Sequence, residues 1–167
     1  MKLYIKQKIF AIADTYNVYD ANQNLQYKID GKIFSWRGKM SLVDRNGKVL
    51  YNFSHRILHF FNRYLDIQDA NEQPIGVIKK HFTFFIPKYS ADIKGEHFEI
   101  SGQILAYNFA IIKNGRVVAA VNKKWLSWGD TYEIDILDGE NIPLMVSLVI
   151  GIDSLTHNDR YGDNHHG

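Results

Sequence analysis

The chain contains no cysteine, which excludes disulfides, thiolate metal sites and a cysteine nucleophile together. It has no apolar run approaching the roughly 20 residues of a membrane-spanning helix and no signal-peptide pattern at its start. The cytoplasm is therefore the expected compartment, with no transmembrane segment. Also missing are the G-x-S-x-G nucleophile elbow, the G-x-G-x-x-G dinucleotide turn, the P-loop and the H-E-x-x-H metal helix. Without them the sequence offers no catalytic residue, no metal site and no cofactor to put forward. A non-enzymatic role is the expectation.

What the chain does have is β-forming material. Its 167 residues suit one domain, large enough to bury about two thirds of its unfolded surface in a single core. Ten Tyr and ten Phe enrich the aromatics that pleated, half-buried surfaces favour. Apolar and polar residues alternate at Leu3 and Ile5, Tyr27 and Ile29, Met40 and Leu42, Phe98 and Ile100, and Tyr132, Ile134 and Ile136. That period of two marks strands with one face on a core. Between the runs lie Asp20 to Asn24, Asp44 to Gly47, Asp69 to Pro74, Ile93-Lys94-Gly95 and Lys113-Asn114-Gly115, whose residues tolerate left-handed backbone or bond their own backbone. Their spacing predicts an antiparallel meander of ten to twelve short strands.

One apolar run breaks the β pattern. From Ile142 to Ile152 only Pro143, Ser147 and Gly151 interrupt the large apolar residues, and Asp153 ends the run. On a helical projection apolar side chains surround the axis except along a strip of Ser147, Gly151 and Ser154. Asn141 suits the N-cap, and Pro143 is tolerated in the first turn. A helix over about 141–156 that is apolar on nearly every side must be enclosed, and strands are the only material to enclose it. Curling a ten- or twelve-stranded sheet into a barrel removes its edges, and the lumen of such a barrel needs a filler. The predicted fold is mainly β: a closed antiparallel barrel of about twelve strands around a hydrophobic C-terminal helix, with Leu144, Leu148 and Ile152 in the core. The domain is expected to span 1–157, followed by a polar, disordered tail over 158–167.

The hairpins of the form strand-Asp-x-Asn-x-strand, the segment Tyr27-Lys28-Ile29-Asp30-Gly31-Lys32 and the terminal apolar helix ending in Ile152-Asp153 resemble the LURP-one-related, or YxjI-like, family of the tubby C-terminal-like superfamily. The resemblance covers about Leu3 to Thr156. It implies the same closed barrel around a central helix, a fold shared with tubby proteins, which bind phosphoinositides, and with phospholipid scramblases. Lacking cysteines to palmitoylate and a proline-rich extension, the chain departs from the scramblases, and no phosphoinositide-contacting residue carries over by position.

Charge is unevenly distributed. Residues 1–129 hold 19 Lys and Arg against 10 Asp and Glu, a net +9, whereas from residue 130 onward Arg160 faces 8 acids, a net −7. Mutual neutralisation of wall and closing segment is the plain explanation; a basic face for an anionic ligand is the other. Three basic-aromatic clusters could make such a face: Trp36-Arg37-Gly38-Lys39, Lys79-Lys80-His81, and Lys123-Lys124-Trp125 with Trp128. The candidate anion- or lipid-binding residues are Arg37, Lys39, Lys79, Lys80, Lys123 and Lys124, set against the ordinary use of lysines to keep sheet edges and outer faces soluble. Anionic phospholipid at a membrane surface is the favoured partner class, ahead of nucleic acid; oligomeric state has no signal here. His55 and His59 share a face at i, i+4, with His81 and His97 in reserve, too few for a zinc site. Glu133 and Asp135 share the outward face of one strand, as plain solvent exposure requires.

Two functional readings result. The first is a non-enzymatic module binding anionic headgroups or phosphates through a basic outer face, which requires Lys79, Lys80, Lys123 and Lys124 to lie together. The second is a small-ligand carrier or enzyme with a pocket at the barrel mouth near Asp153, which requires a concave site with convergent polar groups. A protein-interaction role through an exposed apolar patch, to which the three Trp residues could contribute, is a third.

Overall fold

Each of the five anticipated turns reverses the chain, and three use one device. In the computed structural model, whose backbone is described for residues 1–7, 16–31, 39–58, 62–81, 83–126 and 129–162, Asp20, Asp44 and Asp69 each point Oδ1 back at the turn. Asp20 accepts from the N–H groups of Asn22 and Asn24, both at 2.9 Å. Asp44 accepts from Asn46 and Lys48 at 2.8 and 2.9 Å, and Asp69 from Asn71 and Gln73 at 2.8 and 3.0 Å. A short carboxylate thus satisfies two amides that the tight turn leaves without ladder partners.

These turns link twelve strands: β1 (Lys2–Gln7), β2 (Tyr16–Tyr19), β3 (Leu25–Gly31), β4 (Met40–Asp44), β5 (Val49–Leu58), β6 (Asn62–Asp69), β7 (Pro74–His81), β8 (Lys88–Ile93), β9 (Glu96–Gln103), β10 (Asn108–Lys113), β11 (Arg116–Leu126) and β12 (Gly129–Ile136). Each pairs antiparallel with its sequence neighbours, and β1 closes the ring against β12 with Leu3 opposite Ile134 and Ile5 opposite Tyr132. The predicted alternation holds: Leu3, Ile5, Ile29, Met40, Leu42, Phe98, Ile100, Tyr132, Ile134 and Ile136 are all buried.

The lumen is filled by α1 (Ile142–Gly162). Asn141 caps it as expected, accepting from the Leu144 N–H at 3.0 Å. Leu144, Leu148 and Ile152 are buried, which is the arrangement a helix apolar all round demands. The helix continues six residues past the expected end at 156, and 163–167 of the expected tail lie outside the described residues. No helix among them is long and apolar enough to cross a membrane.

The strip of small residues decides where α1 sits. A Cβ added to Gly151 would lie 2.3 Å from Ile78 Cδ1 on β7 and 2.9 Å from Leu65 Cδ2 on β6, so the helix backbone rides directly against that wall. Ser154 continues the seam, with Oγ 2.9 Å from His55 Nε2 on β5. The axis of α1 is therefore pressed toward β5, β6 and β7. Two residues along a helix turn about 200°, which aims Val149 and Asp153 at the far side of the lumen.

The outer surface shows how the charge asymmetry resolves. Lys2 Nζ lies 3.3 Å from Glu133 and 3.8 Å from Asp135, Lys124 lies 3.7 Å from Glu133, and Lys113 lies 2.7 Å from Glu140. The acidic closing segment neutralises part of the basic wall. Glu133 departs from the simple solvent-exposed strand face: under Lys2, Tyr4 and Lys124 it is 7% exposed.

Candidate functional site

All five turns described above lie at the end of the barrel where α1 enters. The opposite mouth is where Asp153 to Thr156 approach the surface, bordered by the starts of β2, β8 and β10 and the ends of β1, β7, β9 and β11. On the side away from Gly151, α1 leaves a cleft against β1, β2, β10 and β12 whose void, open mouth included, measures about 360 Å³. Val149, Asp153 and Thr156 form its helical wall; Tyr16, Phe109 and Tyr132 face them.

Asp153 is 8% exposed, and the Tyr16 hydroxyl donates to its Oδ2 at 2.6 Å. Tyr107 completes the polar end. It follows a 3₁₀ turn, Ile104–Ala106, in left-handed backbone at φ 51°, ψ 45°, with its N–H bonded to the Ile104 carbonyl. Such a conformation is uncommon for a bulky side chain. Its ring stacks on Tyr132 with centroids 3.8 Å apart and planes 18° from parallel. Burial, reinforced by the negative charge of Asp153, holds the Tyr107 phenol far above its usual pKa; it stays protonated and able to donate. Gly102 makes room for the neighbouring wall: at φ 127°, with Phe109 directly opposite, its missing Cβ would lie 2.8 Å from Phe109 Cα.

A second group borders the mouth on the β6–β8 side. Arg63, Lys80 and Tyr89 stand directly opposite one another in successive strands. They lie on the face that Leu65, Ile78 and Ala91 turn to the core. Lys80 Nζ sits 5.8 Å from the centre of the Tyr89 ring, and burial, with Arg63 nearby, lowers its pKa. Thr156 gives its hydroxyl hydrogen to the Ile152 carbonyl at 2.7 Å. The Tyr89 hydroxyl, 2.9 Å away, is therefore the donor to Thr156 Oγ1. Burial raises the Tyr89 phenol as well.

The six basic candidates divide among three situations. Arg37 lies outside the described residues, and Lys39 is exposed just before β4. Strand alternation separates each remaining pair: Lys79 points outward to Asp92 at 2.8 Å and Lys124 outward to Glu133, while Lys80 and Lys123 belong to the opposite face. Moreover β7 and β11 stand four strands apart in the ring. What the structure brings together instead is Lys80 with Arg63, a residue the linear reading passed over. The histidines each have their own partner: His55 with Ser154, His81 with Ser90 at 2.7 Å, and His97 with Asp92 at 2.6 Å, while His59 lies outside the described residues.

Two further features escaped the linear reading. One is the set of tyrosines around Asp153; Tyr132 was legible as a core position, but Tyr107 follows a backbone reversal that no local pattern announces. The other is the connection between β7 and β8, where Phe84, Phe85 and Ile86 are 87%, 96% and 66% exposed. Thr83 Oγ1 donates to the Ile86 carbonyl and closes that loop. Leu105, on the 3₁₀ turn at the same mouth, is also exposed. Trp36, Trp128 and the Trp125 side chain lie outside the described residues.

Comparison with known proteins places this architecture. A protein of Bacillus subtilis (strain 168), the uncharacterized protein YxjI, is 31% identical over 159 residues, covering 95% of this chain and 96% of its own. The crystal structure of a protein from Arabidopsis thaliana matches the fold with a TM-score of 0.68 at 15% identity, over 93% of this chain and 90% of that one. The profile of the LURP-one-related family matches residues 1–153. Barrel, enclosed helix and sequence agree, and the chain belongs to the LURP-one-related family.

Proposed function

We propose that this chain is a non-enzymatic binding module that rests the α1-exit mouth of its barrel on an anionic lipid surface. The observation that carries this reading is the Phe84-Phe85-Ile86 tip, three large apolar side chains held in water on a loop flanked by Lys80 and His81 on one side and Lys88 on the other. Exposed apolar groups of this size mark interaction surfaces. Aromatic tips sit well at the headgroup level of a bilayer, and lysines beside them keep their charge toward anionic headgroups. Arg63 and Lys80, side by side at the same mouth, add positive charge there.

Sedimentation with vesicles tests it. The protein should associate with phosphatidylglycerol-containing vesicles at low ionic strength, less so as salt screens the lysines, and hardly at all with pure phosphatidylcholine. Replacing Phe84 and Phe85 by Ser should abolish association with the melting temperature unchanged. Absence of binding at low salt, or binding indifferent to the two phenylalanines, would refute the reading.

A further inference from the structure

We infer that Leu105 is a second lipid contact beside the Phe84-Phe85-Ile86 tip, and that the two together turn the open face of the α1-exit mouth to the bilayer. This rests on the lipid reading above and goes beyond it. One loop alone would tether the protein and leave the barrel free to swing; a second contact over the bore restricts it.

The way Leu105 is presented carries the inference. It is the middle residue of the 3₁₀ turn Ile104–Ala106. Ile104, just before it, is buried and lines the cleft, so the turn lies across the bore and not on the outer wall. Just after it, the Tyr107 N–H bonds back to the Ile104 carbonyl at 3.0 Å, and the Tyr107 ring is stacked on Tyr132. A turn fixed on both sides in this way holds one large apolar side chain in water, and Leu105 is 59% exposed. Its exposure comes from an ordered backbone and not from a fraying end.

The neighbourhood of Leu105 is the second observation. β8 and β9 are paired, with Tyr89 opposite Ile100. Three positions outward from that pair, toward the mouth, lie Ile86 on one side and Gln103 on the other. Paired strands run about 4.8 Å apart, so the connections that carry the tip and Leu105 leave the barrel side by side. The tip is shaped as well: Thr83 Oγ1 donates to the Ile86 carbonyl, and Pro87 restrains the backbone that follows. Lys80 and Lys88 border the same connection, giving that face the charge that anionic headgroups attract.

The far end of the barrel supplies the contrast. Met1, Leu25 and Val117 are exposed there too, but each is at most half exposed. They stand singly at β1, β3 and β11, two strands from one to the next around the ring. Apolar residues scattered in this manner are ordinary on a protein surface, whereas four on two adjoining connections form a patch.

The absence of cysteine makes the test clean, because single cysteines can be labelled without background. An environment-sensitive fluorophore is attached to Leu105→Cys, Ile86→Cys or Asn46→Cys, the last on the Asp44 turn at the far end. Each protein is mixed with phosphatidylglycerol-containing vesicles at low ionic strength, with and without brominated lipid as quencher. The labels at 105 and 86 should both be quenched and the label at 46 should not. Leu105→Ser should weaken association with the same vesicles about tenfold, as expected when a half-exposed leucine no longer leaves water, with the melting temperature unchanged. Leu105→Trp should strengthen association, and Val117→Ser, at the far end, should leave it as it is. If vesicles bind but the label at 105 stays unquenched, or Leu105→Ser binds like the parent protein, or Val117→Ser weakens binding as much as Leu105→Ser, the second contact is refuted and the lipid reading stands. If no vesicle binds even at low salt, both fall.

Discussion

Gly151→Ala sets two known effects against each other at one atom. In an unobstructed helix the change is favourable by about 1 kcal/mol. Here the new methyl would lie 2.3 Å from Ile78 Cδ1 and 2.9 Å from Leu65 Cδ2. Ile78 and Leu65 are fully buried, so neither can swing out to solvent; relief needs a shift of about 1.5 Å, reckoned from an ordinary carbon–carbon contact of roughly 3.8 Å. Overpacking of this kind costs about 1–3 kcal/mol. The expected net is a loss of about 1 kcal/mol, or roughly 2–4 °C in Tm for a domain of this size. Ile78→Val removes the offending Cδ1, leaving Ile78 Cγ1 at 3.8 Å. Alone it should lose about 0.5–1.5 kcal/mol; on the Gly151→Ala background it should be neutral or stabilising, a coupling of about 1 kcal/mol. Urea denaturation of the four proteins measures this cycle. If Gly151→Ala stabilises by its full helix-forming gain and the two changes add, α1 does not press on β6 and β7, and the account of how the cleft opens is wrong.

Ser147 Oγ is buried with no hydrogen-bond partner among the described residues, so Ser147→Ala should stabilise by about 1 kcal/mol through lost desolvation and better helix propensity, seen as a higher urea midpoint at unchanged slope. Gly102→Ala should destabilise by about 2 kcal/mol or more, because φ 127° and the Phe109 backbone both oppose a Cβ, and near-ultraviolet circular dichroism should report the disturbed Tyr107–Tyr132 pair. Acid should act through two surface carboxylates. Turn amides hold Asp20, and His97 and Lys79 hold Asp92, below the ordinary value of 3.8; the folded state therefore binds fewer protons than the unfolded one. Their stabilisation is complete above pH about 4 and is lost as pH falls through the depressed values. Asp20→Asn and Asp92→Asn proteins should each show a shallower decline in Tm across that interval, and a slope equal to that of the parent protein would contradict the assignment.

How much of this was legible depended on the range of the signal. Alternation at Leu3 and Ile5 or Tyr132 to Ile136 named lumen residues because the side-chain period in a strand is fixed by geometry. The Asp20, Asp44 and Asp69 turns were legible because their hydrogen bonds close within four residues. The helix inside the barrel followed from a conflict: no solvent-exposed position suits the run from Ile142 to Ile152. Asp153 and a cleft near it were also legible. The tyrosines that surround it were not, since Tyr16, Tyr107 and Tyr132 meet only after the ring has closed. The basic clusters misled for a related reason: Lys79-Lys80 and Lys123-Lys124 are adjacent in sequence, and adjacency in a strand sends side chains to opposite faces. Arg63 and Lys80, seventeen positions apart, are the true neighbours.

The join between β1 and β12 carries a consequence for biosynthesis. Eleven of the twelve seams connect strands consecutive in the chain and can zip as soon as each hairpin leaves the ribosome. The last must wait while more than a hundred further residues are translated, and β1 meanwhile presents an unpaired edge. The rod that occupies the bore is made later still, after the last stave. Closing that seam around the rod is the longest-range pairing in the fold, of the kind that is slow and exposed to aggregation, and it is also the one that brings together the walls of the cleft beside Asp153.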